Sequence, residues 1–126
     1  MSNTKVYIAA YGTLRKGYSN SRLVDKPTTK HIGTGTTVNK YQMIASGIPF
    51  VNKTPDTNIT VDIWEIDEEK DLPSVDRLEG HPEWYKRELV DVKVDDTIYK
   101  AWLYFCDRGH GKIVESGDFN IYTKQR

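Results

Sequence analysis

Two short segments of this 126-residue chain combine residue types and spacings that could do chemistry. The first is Tyr11-Gly12-Thr13-Leu14-Arg15, directly after an apolar run; the second is Leu78-Glu79-Gly80, at the end of an amphipathic stretch. A glycine turn that follows a strand can present main-chain N–H groups to an anion. Val75 lies four residues before Glu79 and Leu72 seven, so a helix would put the Glu79 carboxylate on the same stripe as its apolar residues. A carboxylate there is costly, and function is one reason to keep it. Each segment also has an ordinary reading: a turn that is only a turn, and a terminal glutamate that bends to solvent. Three effects are expected to raise the proton affinity of Glu79, namely the helix carboxyl end, the like charge of Asp76, and partial burial. Together they would tune it toward a general base working near neutral pH.

The elements that must position these residues follow from periodicity. Residues 6–10 read as a buried first strand, so the glycine turn starts where that strand ends. Residues 19–26, stopped by Pro27, read as one or two helical turns. Residues 32–51 are rich in β-formers and broken by Gly33, Gly35 and Gly47. Residues 58–66 alternate, with Ile59, Val61 and Ile63 on one side and Thr60, Asp62, Trp64 and Ile66 on the other. Asp67 is expected to cap a helix over residues 71–79, with Leu72, Val75 and Leu78 inward and Gly80 as a left-handed stop. Residues 84–94 and 97–105 read as a hairpin turning at Asp95-Asp96, and residues 113–122 as a mixed tail. No repeat or linker divides the chain, so one α+β domain over residues 1–126 is expected, dominated by antiparallel strands.

Composition excludes several function classes. Lys plus Arg equals Asp plus Glu at 18 each, so no strong field points toward nucleic acid or an anionic membrane, and a small partner is expected. Gly12 and Gly17 have P-loop spacing, but Tyr18-Ser19 follows where a lysine would have to reach the phosphates. His31, His81 and His110 are too dispersed for a metal site, and no metal is expected. Gly109-His110-Gly111 reads as a surface loop. Cys106, the one cysteine, reads as a small core residue. No cleavable leader pattern and no apolar span of bilayer length occur, so a cytoplasmic protein is expected.

In order along the chain, residues 6–8, Tyr11-Gly12-Thr13-Leu14-Arg15 with Gly17 and Asn20, Gly47-Ile48-Pro49, Val75-Asp76-Arg77-Leu78-Glu79-Gly80, Tyr85 with Arg87, and Ser116-Gly117-Asp118-Phe119 resemble the γ-glutamylcyclotransferase-like superfamily, including its γ-glutamylamine cyclotransferase branch. The resemblance implies a small, mainly antiparallel β-barrel flanked by short helices. It also implies a cofactor-independent reaction in which a γ-glutamyl amide cyclises to 5-oxoproline and a free amine. It assigns Glu79 as the proton-shuttling catalytic residue and Tyr11, Gly12, Thr13, Leu14, Arg15 and Tyr85 to substrate binding. Tyr85 and Arg87 share a strand face: both could line a pocket, or each could make a structural hydrogen bond or rim salt bridge. Asp62 stands where relatives often have glycine; it could reshape the pocket or select a cationic leaving amine, or face solvent. A non-catalytic ligand-sequestering protein, and a lyase or amide hydrolase with another substrate, are the competing readings.

Overall fold

The computed structural model describes residues 4–124. In chain order the elements are β1 (Lys5–Ala10), a 3₁₀ turn (Ser21–Leu23), β2 (Lys30–Ala45), β3 (Pro49–Asp67), α1 (Leu72–Glu79), β4 (Lys86–Val94), β5 (Thr97–Phe105), β6 (Lys112–Ile113) and α2 (Phe119–Lys124). The sheet runs β3-β1-β5-β4-β2-β6, and β2 also pairs with β3, so five strands close into a ring with β6 attached to β2. All pairings are antiparallel except β1 with β5, which meet in parallel at Ile8 and Trp102. Ring closure explains how so small a sheet buries its edges. Among the described residues no helix is long and apolar enough to cross a membrane.

The alternation in residues 58–66 is realised in β3, and its two faces serve two cores. Ile59, Val61 and Ile63 point into the ring with Met43, Val92 and Leu103. Trp64 and Ile66 face outward, where Ile8, Leu72, Val75 and Tyr104 cover them. This second core docks α1 onto the outside of the ring.

Four local expectations are corrected. The glycine-broken stretch is not several short pieces but one long, irregular β2–β3 hairpin, with register shifts in β2 absorbing its bends. The helical stretch at residues 19–26 shrinks to the single turn Ser21–Leu23. Helix α1 has Asp71, not Asp67, at its N-cap position. Asp67 instead closes the preceding turn, its Oδ1 accepting the N–H groups of Glu69 and Lys70 at 2.9 Å each, while its own N–H donates to Asp71 Oδ2 at 2.9 Å. Leu78 is exposed rather than inward, because the helix ends one residue later and its outer flank has nothing packed over it. The β4–β5 hairpin turns where expected, with Asp95 in the left-handed region at φ 53°. Its first strand begins at Lys86, leaving Trp84 and Tyr85 free for the turn beside α1.

Candidate active site

The segment after β1 is pinned by its carbonyl groups. The Gly12 carbonyl accepts from Arg15 N–H at 3.0 Å, the Thr13 carbonyl from Asn20 N–H at 3.0 Å, and the Leu14 carbonyl from the Trp64 indole N–H at 3.1 Å. Asn20 Nδ2 donates to Thr13 Oγ1 at 2.9 Å. Among the described residues the amides of Gly12, Thr13 and Leu14 donate to none of these turn and loop acceptors, while the three carbonyls are spent on the protein.

A buried ionic cluster fastens the far end of the turn. Arg15 donates from Nε to Asp62 Oδ2 at 3.2 Å and from Nη1 to Asp118 Oδ1 at 2.9 Å. Asp62 also accepts the Lys16 N–H on Oδ2 at 2.9 Å and the Thr34 hydroxyl on Oδ1 at 2.6 Å, and His31 Nε2 lies 3.4 Å from the same Oδ1. Burial pushes the Asp62 carboxyl upward, but the hydrogen bonds from Thr34 and Lys16 and the charge of Arg15 outweigh it and hold it below the usual range. Asp62 therefore neither faces solvent nor lines the cavity described below. Arg15, expected among the substrate-binding residues, is likewise turned away into this cluster, where its buried guanidinium is paired with the buried Asp62 and the half-buried Asp118.

At the other end of the site, α1 stops in a Schellman arrangement. The Gly80 N–H reaches the Arg77 carbonyl and the His81 N–H the Asp76 carbonyl, with Gly80 at φ 67°. The chain then folds back over the helix end. The Gly80 carbonyl accepts from Trp84 N–H at 2.8 Å and the Glu79 carbonyl from Tyr85 N–H at 3.3 Å, which sets both aromatic residues beside Glu79.

Between the turn and the helix end lies a cavity of about 480 Å³. Tyr11, Gly12, Thr13 and Leu14 from the turn line it together with Glu79 and Gly80 from the helix end, Trp84, Tyr85, Tyr104, Asn20 and Pro49. Three tyrosines near Glu79 have their hydroxyls committed elsewhere. Tyr11 donates to the Tyr104 carbonyl at 2.6 Å, Tyr85 to the Pro49 carbonyl at 3.2 Å, and Tyr104 to Asp76 Oδ1 at 2.6 Å. Burial raises the pKa of all three phenols, and the nearby Glu79 charge adds to this, so each stays neutral. No hydrogen bond or ion pair holds the Glu79 carboxylate among the described residues. Burial alone raises its pKa to about 7. The expected contribution of Asp76 is absent: Arg87 and Tyr104 neutralise that carboxylate, and their bonds outweigh its burial and hold it below the usual range.

Of the residues singled out from sequence, Tyr11, Gly12, Thr13, Leu14, Glu79 and Tyr85 converge on this cavity, while Arg15 and Arg87 do not. Arg87 pairs with Asp76 and lies over the Trp102 ring, 4.3 Å from its centroid. Sequence reasoning did not single out Tyr104 or Trp84 for the site. The hairpin register, which pairs Arg87 with Tyr104, was the available signal for the first; nothing local marked the second.

A model of the family described as gamma-glutamyl cyclotransferase, AIG2-like, matches residues 8–121. A Methanocaldococcus jannaschii protein provisionally named a gamma-glutamylcyclotransferase is 41% identical over 118 residues, spanning 92% of this chain and 97% of that one. Gamma-glutamylaminecyclotransferase B of Danio rerio is 33% identical over 110 residues, 77% of this chain and 57% of that one. The crystal structure of an AIG2-like protein from Mus musculus superposes with a TM-score of 0.78 at 25% identity, covering 90% of this chain and 88% of the mouse chain. The ring of strands, the two short helices and the match over nearly the whole chain agree: the protein belongs to the gamma-glutamyl cyclotransferase, AIG2-like family.

Proposed function

We propose that the protein converts a γ-glutamyl amide into 5-oxoproline and a free amine, with Glu79 moving the proton. The observation that carries this reading is the Glu79 carboxylate itself: it has no side-chain bond to any described residue, lines the same cavity as residues 12–14, and has its pKa pushed up to about 7 by burial. A structural carboxylate would be paired, as Asp62 and Asp76 are.

In this mechanism the α-carboxylate of the glutamyl group sits on the main-chain donors of the turn, which bends the group so that its α-amine meets its own γ-carbonyl carbon. Glu79 takes a proton from the α-ammonium as the nitrogen attacks. The new C–N bond closes the five-membered ring, Glu79 returns the proton to the departing nitrogen as the original amide C–N bond breaks, and the ring nitrogen's second proton follows through the same carboxylate, so the product is the lactam and the amine leaves as an ammonium. Tyr85 is held by Pro49 as a neutral wall that keeps the dielectric around Glu79 low. Nucleophile and electrophile belong to one molecule, so the reaction needs neither a protein nucleophile nor a cofactor. The buried free thiol of Cys106 fits a reducing compartment such as the cytoplasm.

The test is incubation of the purified protein with a panel of γ-glutamyl amides and dipeptides, with 5-oxoproline followed by mass spectrometry. Turnover by the wild type, and a fall of roughly 10²- to 10⁴-fold in Glu79→Gln with binding retained, is the expected result. Binding without product from any substrate would favour a sequestering protein, and wild-type turnover by Glu79→Gln would remove the proton-transfer role.

A further inference from the structure

The cavity has a mouth whose character differs from its catalytic wall. Three lining residues, Ile48, Leu78 and Trp84, remain 50, 40 and 45% exposed. They come from separate segments: the β2–β3 turn, the last turn of α1, and the turn that follows it. Single large apolar side chains in water are ordinary, but three converging on one opening form a patch, and covering it with an apolar group is favourable.

Charge at the mouth narrows what that group can be. Arg77 and Glu79 are the charged residues that line the cavity, and Glu79 is occupied with proton transfer. Arg108 lies over the Trp84 ring, 5.7 Å from its centroid. Three acids, Glu83, Glu88 and Asp107, line a neighbouring depression with Lys53, Lys86 and Arg108; Trp84 lines both hollows, and Glu88 is paired with Lys53. Asp62, the sequence-level candidate for receiving a cationic amine, is bound by Arg15 away from the cavity. Within the cavity itself the mouth is thus apolar, with Arg77 as its charged neighbour and Glu79 as the one carboxylate in the lining.

We propose that Ile48, Leu78 and Trp84 form a collar that binds the departing amine portion of the substrate, selecting γ-glutamyl amides of uncharged hydrophobic amines over those ending in an ammonium. The proposal rests on the cyclotransferase reading and adds the substrate class. Ring closure would proceed at Glu79 while the hydrophobic chain lies against the collar, and the freed amine would leave through the same opening.

The test compares kcat/KM for 5-oxoproline release from three amides: γ-glutamyl-methylamide, γ-glutamyl-pentylamide, and γ-glutamyl-5-aminopentylamide, which differs from the second by its terminal ammonium. The pentylamide should exceed each of the others by about ten-fold or more, chiefly through a lower KM. Trp84→Ala and Ile48→Ser, both at half-exposed positions compatible with folding, should bring the pentyl-to-methyl ratio to within about two-fold, and Trp84→Phe should restore most of it. Equal turnover of the three amides, preference for the aminopentylamide, or an unchanged ratio in both variants overturns the collar and leaves the cyclotransferase reading standing. Absence of 5-oxoproline from every amide, and from the wider panel above, overturns both.

Discussion

Arg87 grips Asp76 through two parallel N–H···O contacts, Nε to Oδ1 at 2.8 Å and Nη2 to Oδ2 at 3.1 Å, one helical turn before Glu79. The Tyr104 hydroxyl adds a third bond at 2.6 Å. The Asp76 charge is so fully occupied that burial alone accounts for the raised pKa of Glu79.

Arg87→Gln should release that charge. An uncompensated carboxylate one turn away favours the protonated form of Glu79, so the acidic limb of the kcat/KM profile, expected near pH 7, should move to higher pH by about half a unit at low salt. Adding Asp76→Asn to the same chain should return it. A pH–rate profile of the single and double variants measures both shifts, and an unmoved limb in the single variant would show that Asp76 and Glu79 do not communicate.

Glu79 should also leave a mark on folding. Its folded pKa, about 7, lies above the ordinary 4.5, so between those values the folded state holds more proton than the unfolded state. Stability from this group is complete below pH 4.5 and is lost as pH rises toward 7. Glu79→Gln should therefore be more stable than the wild type at pH 8, by about 1–3 kcal/mol after allowance for partial solvent screening, with the difference fading by about pH 4. Urea unfolding at the two pH values checks the sign.

The main-chain donors depend on Gly12 packing closely. A Cβ there would stand 2.9 Å from Pro49 Cγ and 3.3 Å from Pro49 Cδ, so the turn or the proline must shift. Gly12→Ala should raise KM for a γ-glutamyl amide by about ten-fold or more while costing only about 1–2 kcal/mol of stability. Steady-state kinetics beside thermal melts separate the two effects.

Asp62→Ala should behave in the opposite proportion. It strips Arg15, Lys16 N–H and the Thr34 hydroxyl of a shared buried acceptor. Removing one partner of a buried pair costs about 3–5 kcal/mol, so a large drop in the urea midpoint is expected, with weaker substrate binding following from the loosened turn. An unchanged midpoint would show that Asp118 alone satisfies Arg15.

Pattern in the chain was enough to locate much of this molecule. Strand β1, the two-faced second half of β3, helix α1 with its Gly80 stop and the β4–β5 hairpin were legible, because period-two and period-3.6 patterns and left-handed glycines act over a few residues. The same short-range logic failed where a partner lay far away. Asp62 and Asp118 lie 47 and 103 positions from Arg15, and no local rule brings the three together.

By itself, then, the sequence determined that a glycine turn ends a buried strand and that a glutamate ends an amphipathic helix. Only the tertiary structure decided what each does. Ring closure brings β1 and β5 side by side and the outer core docks α1 against them, which sets Glu79 and the turn around one cavity. Long-range ion pairs then decide which charges are spent on the fold. Arg15, Asp62, Asp76 and Arg87 are consumed in pairs, and Glu79 is left with a raised pKa because desolvation acts on it without a partner to offset the cost.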